Sequence, residues 1–266
     1  MTILQALVLG VVQGLTELLP ISSSAHLNII PWLLGWSKSA VFNESFEGFD
    51  VALHFGTLLA IVLFFYKDWV KLIKGGWNQV RGKKSFEGKM FWYIVLATLP
   101  GGAIGFLLDH FLGDTLEKPI IIGIALMIMG VVLYFVDNVA ESNTDYKHMT
   151  LKQTFLIGLS QALAFIPGVS RSGITITTGR IMGVDRESAA KYTFLLSTPI
   201  VLAATLYKLK DFAFGELSFY IGILASFLVG IFVIRFLLNY LKKGSFKIFA
   251  IYRVVIRNIY NNNGIN

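Results

Sequence analysis

The residues best equipped for chemistry lie in two short stretches, GVVQGLTELLPISSSAH from Gly10 to His26 and GLSQALAFIPGVSRSGITITTG from Gly158 to Gly179. In the second, Arg171 is the sole ionised side chain between Lys152 and Arg180. A lone guanidinium in so apolar a segment costs about 2.5–3.5 kcal/mol to place at bilayer depth, so it marks a functional site by default. Ser170, Ser172, Thr175 and Thr177 add hydroxyls beside it, while Gly168 and Gly173 let the backbone approach closely and bare its N–H groups. That is equipment for holding a phosphate. In the first stretch Glu17 is the only ionised side chain among the opening 37 residues, and a serine cluster and His26 follow it.

Sliding one stretch over the other by 148 positions pairs Gly10 with Gly158, Gln13 with Gln161, Leu15 with Leu163, Ser22 with Ser170 and Ser24 with Ser172. Each copy reads as an apolar half-helix, a proline, then serines. Interrupted hydrophobic segments at corresponding places in two halves point to an inverted-repeat membrane protein with its site near the midplane. On that reading the carboxylate of Glu17 and the guanidinium of Arg171 meet.

Composition sets the class. The 266 residues are 55% hydrophobic and only 15% charged, with a mean hydropathy of +0.67, which excludes a soluble globule and implies a polytopic membrane protein. Without cysteine there is no disulfide or thiolate metal site, so catalysis must rest on hydroxyl, imidazole, carboxylate and guanidinium groups. No basic region precedes the first apolar run, so no cleavable signal peptide is read. The net charge of +7 is assigned to loop lysines on one side of a membrane rather than to nucleic-acid binding.

The chain divides into a first repeat over about 1–137 and a second over about 150–260, all in one membrane domain covering 1–266. A re-entrant hairpin is expected from Thr2 to Trp36, broken at Pro20–Ala25, since irregular backbone at that depth is tolerated only where protein or a wet cavity satisfies it. Ser37–Gly48 reads as a polar stretch, Phe49–Tyr66 as a span, and Lys67–Lys89 as a basic loop. Met90–Leu108, kinked at Pro100, and Pro119–Val136 span next. Asn138–Gln153 links the halves, and a second hairpin runs from Thr154 to Gly183. Spans at about Ala189–Tyr207, Leu217–Leu241 and Ser245–Ile256 close an all-α fold of six transmembrane helices and two re-entrant helix-loop-helix hairpins, the last span being short for a bilayer core.

Basic residues orient this arrangement. Seven lie in Lys67–Lys89, and Lys147, Lys152, Arg180, Arg186, Lys191, Lys242, Lys243 and Lys247 bring one side to fifteen; the other side has five, Lys38, Lys118, Lys208, Lys210 and Arg257. The bias puts both termini outside and the fifteen in the cytoplasm. The first hairpin then enters from the outer face.

The runs QGLTELLPISSSAHL from Gln13 to Leu27 and PGVSRSGIT from Pro167 to Thr175 resemble the two signature motifs of the undecaprenyl-diphosphate phosphatase family of the bacitracin-resistance type, and the span pattern fits over most of the chain. The resemblance implies removal of the terminal phosphate of the C55 polyprenyl diphosphate, in the bacterial cytoplasmic membrane with the site facing the periplasm, returning carrier lipid to peptidoglycan synthesis. Position by position, the motif glutamates fall on Gln13 and Glu17, the first loop's serine and histidine on Ser23 and His26, and the second loop's serine, arginine and threonine on Ser170, Arg171 and Thr175. Glutamine at position 13, where many members carry an acid, puts in doubt any mechanism needing two carboxylates from this helix.

Within that frame Gln13 and Glu17, four apart, share one helix face, and Glu17 is the expected ligand of a divalent cation, Mg²⁺ or Ca²⁺, bridging to the diphosphate. Either Ser23 or His26 attacks phosphorus, or His26 activates water. Arg171 clamps phosphate oxygens in a planar fork that lysine does not copy. Gln13, Ser22, Ser24, Ser170, Ser172, Gly173 and Thr175 are expected to bind substrate. His54 is read as packing within its span, and His110 and His148 as loop residues without chemistry. The membrane and the polyprenyl lipid are the expected partners, and a homodimer is compatible with the sequence. The rival reading is an inverted-repeat transporter or flippase of polyprenyl phosphate or a small anion.

Overall fold

A computed structural model describes residues 1–116, 118–209, 212 and 216–262, and among them all regular structure is helical. The order is α1 (Ile3–Thr16), α2 (Ser23–Leu33), α3 (Ala40–Phe64), α4 (Tyr66–Val80), α5 (Phe86–Leu116), α6 (Pro119–Val139), α7 (Leu151–Ser160), α8 (Arg171–Ile181), α9 (Arg186–Tyr207), α10 (Leu217–Leu241) and α11 (Lys247–Asn262), with short 3₁₀ turns at Trp36–Lys38, Tyr146–His148 and Gln161–Phe165. By length and apolarity four described helices can cross a membrane: α5 over Phe86–Leu108, α6, α9 and α10; α3 from Gly48 makes a fifth if it is counted with α4, from which it is bent by 76°.

The 148-residue offset reappears in backbone detail. Thr2 and Thr150 each open their helix with a capping box, closed by Gln5 and Gln153, which satisfies two otherwise orphaned N–H groups at each start. Both half-helices then stop at irregular turns, and Ser22 (φ 75°) and Ser170 (φ 72°) are the described non-glycine residues with positive φ. The Ser22–Ser24 hydroxyl pair at 3.1 Å is matched by Ser170–Ser172 at 3.2 Å.

Packing crosses between the halves. The first half-helix α1 lies on α10, and its counterpart α7 lies on α5; α3 packs on both α9 and α10, and α6 on α11. Close approach depends on matched glycines: a Cβ on Gly10 would sit 2.7 Å from the Gly222 carbonyl and from Ala225, and one on Gly158 would collide with Ala97. The main buried cluster runs from Leu18 and Ile61 through Ile94, Ile157, Ile176 and Leu196 to Leu237 and Phe249.

Several elements differ from expectation. The serines after Pro20 open α2 instead of lying in a loop. Most of the polar stretch Ser37–Gly48 is the first part of α3. The basic loop Lys67–Lys89 contains a full helix, α4, whose Gly75 and Gly76 face Gly88 and Phe91 of α5; its charged residues fall on a separate face, so hydropathy alone hides it. Pro100 sits inside a continuous α5, which carries the backbone of His110, a residue expected in a loop. The C-terminal segment is longer than its apolar core, helical from Lys247 to Asn262, and it docks on α6 with Arg253 fully buried.

One buried cluster was not foreseen. Asp137, at the end of α6, accepts from Arg180 Nε at 3.3 Å, Arg186 Nε at 2.7 Å and the Phe246 N–H at 2.9 Å. Arg180 also donates to the carbonyls of Ala140, Glu141 and Val184 and to Ser142. A buried charge network of this kind is tolerable only when every donor is met. It ties α6, α8, α9 and α11 together at the end opposite their hairpin turns.

Candidate active site

Because α1 terminates at Thr16, the side chain of Glu17 projects from the last helical turn, next to the start of α2. Its Oε2 accepts a hydrogen bond from Ser23 Oγ at 2.6 Å, short as expected for a hydroxyl on a carboxylate. The Gln13 amide reaches the same oxygen from one turn back, at 3.4 Å. Arg171 Nη1 stands 3.4 Å from Oε1 across 154 residues of chain. The expected meeting of acid and guanidinium therefore occurs. Glu17 keeps 10% of its side-chain surface exposed and Arg171 26%, so the pair sits at the rim of the interior and remains reachable.

His54 also arrives there. Its Nε2 is 3.4 Å from Glu17 Oε2, and its Nδ1 bonds the Asp50 carbonyl at 3.0 Å with the Asp50 carboxylate 3.7 Å away. The expectation that His54 merely packs is corrected: it is one of the four side chains, with Gln13, Ser23 and Arg171, that converge on the carboxylate. A lone imidazole in the otherwise apolar run of α3 was the available signal.

Two helix N-termini point at this spot, because Ser23 is the first residue of α2 and Arg171 the first of α8. Ser170 caps α8 by accepting from the Gly173 N–H at 3.1 Å, whereas Ser22 makes no side-chain cap to α2. Uncapped N–H groups and helix dipoles of the same sense favour an anion between them. A narrow space of about 10 Å³, about one water, lies behind Glu17 and Arg171 against Ile61, Thr193 and Ser197.

The remaining hydroxyls hold the turns together. Ser172 Oγ donates to the carbonyls of Glu17 and Leu19, at 3.2 and 3.0 Å, and Ser24 Oγ accepts from the Gly168 N–H at 3.4 Å. Thr175 Oγ1 bonds the Arg171 carbonyl at 2.7 Å and receives Thr193 Oγ1 at 2.9 Å. Both ring nitrogens of His26 are engaged, Nδ1 with the Ser22 carbonyl and Nε2 with the Tyr252 hydroxyl, each at 2.7 Å, and the ring stacks on Tyr252. None of its hydrogen bonds is to Glu17, Ser23 or Arg171.

Arg253 was missed at the sequence level. Wholly buried on α11, it donates to Pro20, Gly168, Val169 and Leu126 carbonyls at 3.1, 2.8, 2.9 and 3.3 Å. One guanidinium thereby bonds both hairpin turns, and its Nη1 lies 2.7 Å from where a Cβ on Gly173 would sit. Carbonyl partners leave no trace in a sequence.

Over residues 6–259 the chain matches the family described as bacitracin resistance protein BacA. The chain belongs to that family. It is 48% identical over 257 residues to a Pelotomaculum thermopropionicum protein, covering 96% of this chain and 94% of the relative. It is 46% identical to one from Caldicellulosiruptor bescii and 44% to one from Desulforudis audaxviator, each covering 95% of this chain and 94% of the relative. All three relatives are named undecaprenyl-diphosphatase. The residues converging on Glu17 come from both family motifs and from α3 between them, so the match embraces the whole site.

Proposed function

We propose that this protein is an integral membrane phosphatase that hydrolyses undecaprenyl diphosphate to undecaprenyl phosphate and inorganic phosphate, in the cytoplasmic membrane with its site toward the periplasm. The observation that carries the reading is the Glu17 carboxylate holding the Ser23 hydroxyl at 2.6 Å with a guanidinium on its other oxygen. A serine beside a base is a nucleophile; an arginine and two helix N-termini beside it are a phosphate clamp. The relatives' name supplies the substrate class.

Ser23 Oγ attacks the terminal phosphorus as Glu17 takes its proton, and the bond to the bridging oxygen breaks to release the lipid monophosphate. The departing monophosphate takes that proton from Glu17, and the restored carboxylate deprotonates a water that attacks phosphorus; the bond to Ser23 Oγ breaks, Glu17 returns the proton to Ser23, and inorganic phosphate is freed. Arg171 leaves Glu17 for the phosphoryl oxygens and meets the charge that spreads there in the transition state. His54 and Gln13 hold the carboxylate in register throughout. His26, with Tyr252, positions the Ser22 turn instead of attacking.

A divalent cation fits the oxygens present. Gln13 Oε1 is buried without a hydrogen-bond partner on the helix face of Glu17, and carboxylate, amide and hydroxyl oxygens are the donor set of Mg²⁺ or Ca²⁺. Glu17 and Gln13 Oε1 would hold such a cation, which when bound would supply charge neutralisation to the diphosphate; among the described residues no three His, Cys, Asp or Glu side chains gather to hold a metal. Purified protein in detergent, where no gradient exists, is expected to release phosphate from undecaprenyl diphosphate with Mg²⁺ and to stop on chelation, and Ser23→Ala to lose about 10²–10⁴-fold. A Ser23→Ala protein as fast as the parent overturns the nucleophile. A parent that releases no phosphate yet takes up polyprenyl phosphate in vesicles leaves the transporter reading standing.

A further inference from the structure

A second cationic centre lies on α10, far along the sequence from either motif. Arg235 is the only ionised residue of Leu217–Leu241. It stands six residues before the helix end, about 9 Å inside it at the α-helical rise. Its side chain is exposed and has no ion-pair partner among the described residues. An exposed arginine near the end of an apolar helix snorkels toward the headgroup level, where anionic phosphates meet it.

The surroundings supply a built recess. Arg235, Leu238, Asn239 and Lys242 repeat at i, i+3, i+4 and i+7, one face of α10, and with Phe64 at the end of α3 and Glu187 at the start of α9 they line an open cavity of about 430 Å³. Lys242 Nζ holds the Asn239 Oδ1 at 3.2 Å, which leaves the amide NH₂ as a donor toward the cavity. Guanidinium, amide and ammonium form an all-donor wall. Two cations and one carboxylate leave a net charge of +1, the complement of a single phosphodiester anion. Phe64 and Leu238 continue the recess as an apolar edge suited to glycerol and acyl carbons.

The geometry points to a phospholipid headgroup site at this basic end of the bundle, in which Arg235 and Lys242 clamp the phosphodiester and Asn239 donates a third hydrogen bond. Bidentate guanidinium recognition makes Arg235 the principal contact. The site joins the ends of α3 and α9, the helices that carry His54 and Thr193, to a lipid of the surrounding leaflet.

The full chain in detergent provides the test, by thermal unfolding titrated with short-chain phosphatidylglycerol, with dioctanoylglycerol as a phosphate-free control and with inorganic phosphate as a lipid-free one. Phosphatidylglycerol is expected to raise the midpoint while dioctanoylglycerol does not, and Arg235→Gln to need at least tenfold more lipid for the same rise. Lys242→Gln, at an exposed position, reads the same way should Arg235→Gln fold poorly. Phosphate release in detergent remains within about twofold of the parent in both. Superimposable titrations of parent and variants overturn the site, and an Arg235-dependent rise with inorganic phosphate alone overturns its assignment to a lipid.

Discussion

The two hairpins share a backbone and differ in chemistry. Each starts from a threonine capping box, crosses a glycine that admits a neighbouring span, and turns at a serine with positive φ that pairs with the serine two residues on. From that common frame the first hairpin presents Glu17 and Ser23, the second Arg171 and Thr175. Where the first has its carboxylate, the offset places Phe165 in the second. The difference teaches that two similar helix starts carry different side chains: on the proposed mechanism the first supplies the base and nucleophile and the second the clamp. The carboxylate comes from one hairpin and the guanidinium from the other, 3.4 Å apart, while Arg253 bonds both turns and α1 packs on α10 and α7 on α5.

The comparison can be broken most severely at the clamp. Arg171→Lys retains charge and loses the fork, and turnover is expected to fall about 10²–10³-fold with insertion unchanged, measured as phosphate release per folded protein. Near-parental rates would take Arg171 out of the chemistry. The shared frame is probed by Gly10→Ala and Gly158→Ala. Both should destabilise by about 1–3 kcal/mol through overpacking, read as unfolding in detergent, and a large loss from one with none from the other would contradict equivalent packing. The smallest effect separates the caps. Ser170→Ala removes an N-cap hydrogen bond and should cost about 1 kcal/mol, whereas Ser22→Ala removes none and should cost less in the same measurement.

Much of this was legible in the sequence because the signals were local or repeated. Spacing alone paired Ser22 with Ser170, and the isolation of Glu17 and Arg171 among apolar residues predicted their encounter. What escaped depended on partners that a sequence does not mark. Arg253 bonds four carbonyls, and the Lys, Arg and Asn residues of its helix make the segment look polar; His54 reaches Glu17 through the packing of α3 on α1, which no periodicity reports. Likewise, α4 was hidden in a basic run whose charges cover one face only. The hydroxyls of Ser172 and Thr175, expected to bind substrate, make their bonds here to backbone and to Thr193.

The central claim is that the two hairpins build one site around Glu17 and Arg171. A double-variant cycle of Glu17→Gln and Arg171→Gln, scored by phosphate release from undecaprenyl diphosphate, tests it most directly. Residues serving a single transition state are strongly non-additive, so the double variant should fall no more than about tenfold below the weaker single one; losses that simply multiply would contradict the account.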